Sequence, residues 1–288
     1  MQLHQIYRPI IATPFRCTED YMEFPACDVL KPYICCFWGT RNPIKKAEGY
    51  RNTGIVIPDT CMDIMFTVDV ANKSIRSRFC GIDDRLLVTH EGYDSDKMIF
   101  QFAIRFYAWG VHWFSEESLC GVKGNFFDAG YHFSKLIKEL EPLVMEITNI
   151  DRLIPLVELV LFKHLKERRK STDVSQAVYQ MLRKRGNISS QELCRDVLIS
   201  ERQLERVFKE YMGCSPKNMA SMVRFQYLWR DILYDKQFHI LDAVDKYGYS
   251  DQAHLSHDFK KYYSMNIGEA RKYAVQNVGN IQERFVKT

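Results

Sequence analysis

The chain has 288 residues, 46% of them hydrophobic and 26% charged, with a formal net charge of +4. This is an ordinary globular mixture, long enough for two domains, and it excludes a disordered or fibrous chain. No window approaches the ~18 uninterrupted apolar residues of a membrane helix, and the first residues lack the apolar core of a secretory signal, so a cytoplasmic location is expected. The nine cysteines include no C-x-x-C, which excludes a zinc ribbon or a thioredoxin-like motif. They fit a reducing compartment and read either as small buried hydrophobes or as a thiol redox sensor.

The charge is unevenly placed. Residues 1–170 carry 22 basic and 22 acidic residues, whereas residues 171–288 carry 18 and 14. The whole surplus lies in the second part, where a polyanion would bind.

Residues 1–128 read as β-rich. The runs Gly54–Ile57, Asp63–Val68 and Met98–Phe106 mix β-branched, aromatic and alternating polar residues. Turn signals at Pro58-Asp59, Ala71-Asn72, Asp83-Asp84, Gly92 and Gly121 separate them. From His132 the period turns helical, with Phe133, Leu136, Ile137 and Leu140 on one face, until Pro142 breaks or kinks the run. Asp151 reads as the N-cap of a further helix through Leu165, with the stripe Leu153, Leu156, Val157, Val160, Leu161 and His164. That stripe either covers the β-rich part or forms a dimer contact. The charged stretch from Lys166 to Asp173 is the linker candidate. It divides a sensor domain at 1–168 from an all-helical domain at 172–288.

The helical part contains a repeat. Ser200–Tyr211 aligns with Asp251–Tyr262, so that Leu204, Phe208, Lys209 and Tyr211 match Leu255, Phe259, Lys260 and Tyr262. Ser200 and Asp251 are N-cap residues, and Gln203 stands at the fourth position of a capping box. Each copy has an apolar face, Leu204/Phe208/Tyr211 or Leu255/Phe259/Tyr262, that must pack inward. The opposite faces present Arg202, Gln203 and Arg206, then Gln252, His254, Ser256 and His257. A short helix precedes each copy, over Ser189–Asp196 and over Ile240–Lys246, and Gly248 ends the second of these. Helix, tight turn and polar second helix form the helix-turn-helix plan. Its second helix enters a major groove about 12 Å wide, where Arg meets guanine and Gln meets adenine. Pro216 opens a connecting helix to about Tyr234, roughly 28 Å long at 1.5 Å per residue.

On these residues the segment resembles the DNA-binding domain of the AraC/XylS family. The resemblance rests on Ile188, Glu192-Leu193, the run Ser200–Pro216, Arg224 and the run Gly248–Lys260. It implies a one-component transcription regulator that binds double-stranded DNA, is no enzyme, needs no cofactor or metal, and meets RNA polymerase if it activates. It places Arg202, Gln203, Glu205 and Arg206, then Gln252, Ala253, His254, Ser256 and His257, at the bases, with Lys209 and Lys260 close by. The sequence departs from the family at Leu198 and Ser264, where glycine is usual, at Ile267, where proline is usual, and at His257, where arginine is usual.

In the first half, Ile57-Pro58-Asp59, Asp63–Phe66, Ile104–Phe106 and Gly110 resemble the degenerate cupin barrel that serves some AraC-type regulators as a sensor. The fold expected is therefore α+β, a cupin-like β-rich domain ending in helices and an all-α domain. A barrel interior holds a small-molecule effector, for which Trp38, Asp63, Phe66, Arg105, Phe106 and Trp109 are candidates. Phe102 and Trp113 are further aromatics that either line or fill it. A cupin-like metalloenzyme is the competing reading, with His90, His112 and His132 as its ligands, but the sequence contains no His-x-His. The family resemblance also implies a homodimer through the first half.

Overall fold

A computed structural model describes residues 2–10, 21–165 and 172–276. Residues 166–171, most of the linker candidate, lie outside that range. In chain order the first part contains α1 (Leu3–Ile6), β1 (Met22–Phe24), β2 (Ile34–Gly39), β3 (Ile44–Lys46), β4 (Arg51–Val56) and β5 (Cys61–Asp69). It continues through β6 (Ser74–Cys80), β7 (Leu87–Gly92), β8 (Lys97–Tyr107), α2 (Ala108–Val111), β9 (Phe126–Asp128), α3 (Ala129–Glu146) and α4 (Ile150–His164). The second part is helical: α5 (Thr172–Arg183), α6 (Ser190–Val197), α7 (Glu201–Met212), α8 (Pro216–Tyr234), α9 (Ile240–Tyr247), α10 (Gln252–Tyr263) and α11 (Ile267–Gln276). The fold is α+β, as expected.

The main sheet is antiparallel in the order β1-β2-β8-β5-β6-β9, with β3 also on β8, while β4 and β7 form a separate ribbon. Side chains alternate between faces along a strand, so register decides their fate. Ile64 stands opposite Phe79 and Ile104, and Phe66 opposite Phe102. These residues share the face covered by α3, where the Phe133 ring meets Phe79 at 4.9 Å. Asp63 stands opposite Arg105 and Cys80 on the other face. The aromatics of the first half are thereby divided, most filling the core rather than lining a cavity.

Two helix boundaries differ from expectation. Pro142 lies inside α3, and the helical path breaks instead at Phe133, with φ −136° and ψ 41°. The N-cap of α4 is Asn149, whose side chain accepts from Arg152 N at 3.1 Å. Asp151 sits in the first turn, where a carboxylate favours the helix dipole, and faces Arg41 at 3.5 Å. Within α4, Leu153, Val157 and Leu161 are buried, while Leu159 and Phe162 are 68% and 53% exposed. Part of the predicted stripe is thus buried, with α4 packed on α3.

The helical part is organised around α8. Its Met222, Phe225, Trp229 and Ile232 recur at helical spacing and are buried. Aromatic contacts tie it to α10: Phe225 to Tyr262 at 4.8 Å and Trp229 to Tyr263 at 4.7 Å.

Candidate nucleic-acid interface

The first helix-turn-helix unit is α6–α7. Ser189 and Glu192 form a reciprocal capping box at the start of α6, a motif the sequence spells as S-x-x-E. The helix ends on Leu198, in the left-handed region at φ 58° and ψ 37°. Ser200 then caps α7, its Oγ accepting from Gln203 N at 3.3 Å. That bond is the capping half expected for Ser200, while the reciprocal box belongs to α6. Leu204, Phe208 and Met212 are fully buried. Tyr211, expected on this inward face, is half-buried and stacks instead on the His112 ring at 4.6 Å. The exposed side presents Arg202, Gln203 and Arg206. Glu205 is half-buried and pairs with Lys209 at 3.1 Å.

The second unit, α9–α10, repeats the plan with different parts. Gly248 supplies the left-handed residue at φ 66°, and Asp251 caps α10 through His254 N at 2.7 Å. Leu255, Phe259 and Tyr262 are buried, as expected, together with Tyr263. Gln252, Ala253, His254, His257 and Lys260 are exposed and Ser256 is half-buried. Arg224 of α8 does not face outward. It donates to Asp258 at 3.0 Å and lies over the Tyr249 ring at 4.3 Å, while the Tyr249 hydroxyl donates to the same carboxylate at 2.9 Å. This network fixes α10 to the connecting helix.

The helical part also touches the β-rich part, through α7 and α8. Gln226, 1% exposed, accepts from Ile10 N at 2.7 Å and donates to Pro58 O at 2.7 Å. Leu119 N donates to Glu210 O at 2.9 Å. The Tyr7 and Tyr227 rings meet at 5.6 Å, and Asn218 donates to Asp84 at 3.3 Å. The sequence reading missed Gln226. Its only signal is one amide inside the apolar stripe of α8, where a buried polar group requires partners.

A cavity of about 700 Å³ lies between the main sheet and the β4–β7 ribbon, with Trp38, Arg76, Arg78, His90, Lys97 and Gln101 among its lining residues. Arg76 and Arg78 are exposed. Beside it, Trp38 Nε1 donates to Asp63 at 2.8 Å, and Arg105 donates twice to the same carboxylate at 3.0 and 3.2 Å. Asp59 lies 4.0 Å from Arg105, and burial pushes its carboxyl up to about 7. Trp38, Asp63 and Arg105 are thus brought together, and Phe66 and Phe102 touch the cavity wall while their rings stack in the core. Phe106 lies elsewhere, against Phe114 at 5.2 Å. Trp109 stacks on Tyr107 at 4.6 Å, and Trp113 packs on Tyr33 at 5.3 Å. His90, His112 and His132 stand on β7, after α2 and in α3. His132 is a core residue edged by the rings of Phe79 and Phe127. Among the described residues no group of three or more His, Cys, Asp or Glu side chains could hold a metal. Nor, among them, is any helix long and apolar enough to cross a membrane.

Two capped helix pairs on one connecting helix define a double helix-turn-helix protein. Residues 193–273 match the family described as a helix-turn-helix domain. This segment is an AraC-type helix-turn-helix domain, and the chain is a DNA-binding transcription regulator. Among solved structures, the chain is similar to an AraC-type transcriptional regulator from Chromobacterium violaceum, with 24% identity, 36% of this chain and 94% of that one covered, and a TM-score of 0.34. It is also similar to ToxT from Vibrio cholerae, with 11% identity, 83% and 98% covered, and a TM-score of 0.40. For the xylose-binding transcription activator XylR the values are 20% identity, 42% and 37% covered, and 0.32. No curated protein matches the chain.

Proposed function

We propose that α7 and α10 enter successive major grooves of one DNA site. Arg202, Gln203, Glu205 and Arg206 meet bases in the first groove, and Gln252, Ala253, His254, Ser256 and His257 in the second. Lys209 and Lys260 lie toward phosphates. One observation carries this reading: two 12-residue helices, capped alike and buried at matching positions, flank a single 19-residue helix. At 1.5 Å per residue that helix spans roughly 28 Å, comparable with the ~34 Å of one DNA turn.

Residues 1–168 then act as sensor and 172–288 as reader, in the cytoplasm and without catalytic activity. The cavity beside Trp38 is the place for an effector, and Arg76 and Arg78 favour an anionic one because neither pairs with a carboxylate among the described residues. A homodimer would form through the exposed Leu159 and Phe162 of α4, a self-complementary helix contact. If the protein activates, RNA polymerase is its further partner.

The test is binding of the full-length protein to a selected operator and to random duplex DNA. Arg206→Ala is expected to lose about 1–3 kcal/mol of discrimination, whereas Lys261→Ala, at an exposed lysine in the last turn of α10 beside Lys260, weakens both DNAs alike. Equal losses on both DNAs for Arg206→Ala would remove it from the reading face.

A further inference from the structure

One buried histidine lacks any hydrogen bond to its ring. His132 is 3% exposed, and neither imidazole nitrogen has a partner among the described residues. It lies in a cage of aromatic rings. Phe127 stands opposite Phe79 in the pairing of β9 with β6, so both rings reach the face that α3 covers. Their centroids lie 5.1 and 5.4 Å from the imidazole, and those of Tyr131 and Phe133 lie at 4.9 and 6.2 Å. Buried polar atoms are ordinarily paired. A protonated imidazole carries two N–H donors, and this cage gives them no acceptor. The ring fits only while it is neutral.

The cage sits at a hinge. Phe133 leaves the helical path at φ −136° and ψ 41°, which separates the first turn of α3, residues 129–132, from the rest. His132 O accepts from Glu116 N at 2.8 Å, and Glu116 Oε1 accepts from Lys135 N at 2.7 Å. The loop that begins at Glu116 goes on to support α7. Leu119 N donates to Glu210 O at 2.9 Å, and Val122 lies against Gly213.

We propose that His132 makes the support of the first reading helix pH-sensitive: protonation expels the ring from its cage, swings the first turn of α3 about Phe133 and loosens residues 116–128. The device does not depend on which bases α7 meets.

The charged groups around the ring do not hold the proton in place. Glu116 and Glu117 stand on the loop, Asp128 on β9, and Lys135 and Glu141 on α3. Glu116 is engaged by Lys135 N, Asp128 caps α3 through Gly130 N, and Glu141 accepts from Ser77. On β6, Arg78 lies on the opposite face and lines the cavity. Burial lowers the imidazole pKa from its ordinary value, and the charge of Glu117 acts the other way without offsetting it. The unfolded chain takes up the proton near the ordinary value of about 6.5, the folded chain only at lower pH. The stability that goes with the neutral ring is therefore complete above about pH 6.5 and is lost as the pH falls below it.

The experiment compares full-length wild type with His132→Phe between about pH 8 and about pH 5.5. Phenylalanine completes the ring cage without a titratable group. It leaves the stack of His112 on Tyr211 and the approach of Asp59 to Arg105 in place. In wild type, exchange of the imidazole C2 hydrogen, read by mass spectrometry, should give His132 a midpoint below the ordinary one. Backbone amide exchange at 116–128 and 208–213, corrected for the intrinsic effect of pH, should accelerate by at least about threefold on acidification. The melting temperature should fall by at least about 2 °C more than in His132→Phe. An ordinary midpoint for His132 overturns the proposal in wild type alone, whether or not the variant folds. So does titration of His132 with exchange at 116–128 unchanged. Equal acceleration in His132→Phe would assign the response to other groups and overturn it as well.

Discussion

In the first helix-turn-helix unit the turn begins on Leu198, and α7 ends at Gly213, where an added Cβ would lie 2.4 Å from Val122 of the β-rich part. In the second the turn begins on Gly248, and α10 is held by Arg224, Asp258 and Tyr249 within the helical part itself. The two units present exposed faces of the same length and cap. They differ in what supports them. The first shares its support with the β-rich part through Glu210, Tyr211 and Gly213, while the second is held directly by α8.

The largest effects break each unit from inside. Phe208 and Phe259 are 0% and 1% exposed, and truncating a buried Phe to Ala costs about 3–5 kcal/mol. Both Phe208→Ala and Phe259→Ala should lower the melting temperature of the full chain. Hydrogen exchange separates them. Phe259→Ala should expose α9–α11 alone, whereas Phe208→Ala should also expose residues 119–122, which pair with the end of α7. Identical exchange patterns would mean that the two units are supported alike.

Next in size is the contact at Gln226. Gln226→Leu keeps the volume but orphans Ile10 N–H and Pro58 C=O, at about 1–3 kcal/mol for each unsatisfied group. The expected result is faster exchange in α7 and the middle of α8, with α10 unchanged. Loss of protection in α10 equal to that in α7 would show that the contact supports the helical part as a whole.

Much of this comparison is legible in the sequence, and what is missing has a physical reason. The repeat, the caps Ser200 and Asp251 and the extent of α8 are local patterns, and they fall where the sequence puts them. Tyr211 was expected inward because the period of α7 cannot distinguish a core from a neighbouring domain, and the ring of His112 takes it. Phe106 and Trp109 were candidate cavity residues because alternation gives two faces without saying which one a helix covers. The pairing of Arg105 with Asp63 depends on register across β5 and β8, sequence-distant strands. The register shift between Ile34 and Cys36 in β2 is equally hidden, because no spacing rule shows a bulge.

The smallest predicted effect is the sharpest test, because it changes only backbone conformation. Leu198 and Ser264 occupy positions where a glycine is expected by resemblance, and both adopt φ 58°. An L-residue in that region carries about 1–2 kcal/mol of strain, which a glycine does not. Leu198 is also 90% exposed, so its side chain returns little by burial. Leu198→Gly should therefore stabilise the first unit by about 1 kcal/mol, less the entropy a glycine loses on folding. Gly248→Ala is the reciprocal change in the second unit and should go the other way. It adds the same strain and brings a Cβ within 2.3 Å of the Asn187 side chain, so Asn187 must move as well. Chemical denaturation of the full chain should give opposite shifts in midpoint, with the alanine effect the larger. If Leu198→Gly instead destabilises, the leucine makes a contact that its exposure does not show, and the first unit's turn is held by more than its backbone. If Gly248→Ala is silent, α9 and α10 can separate from Asn187 at no cost, and the second unit is the looser of the two.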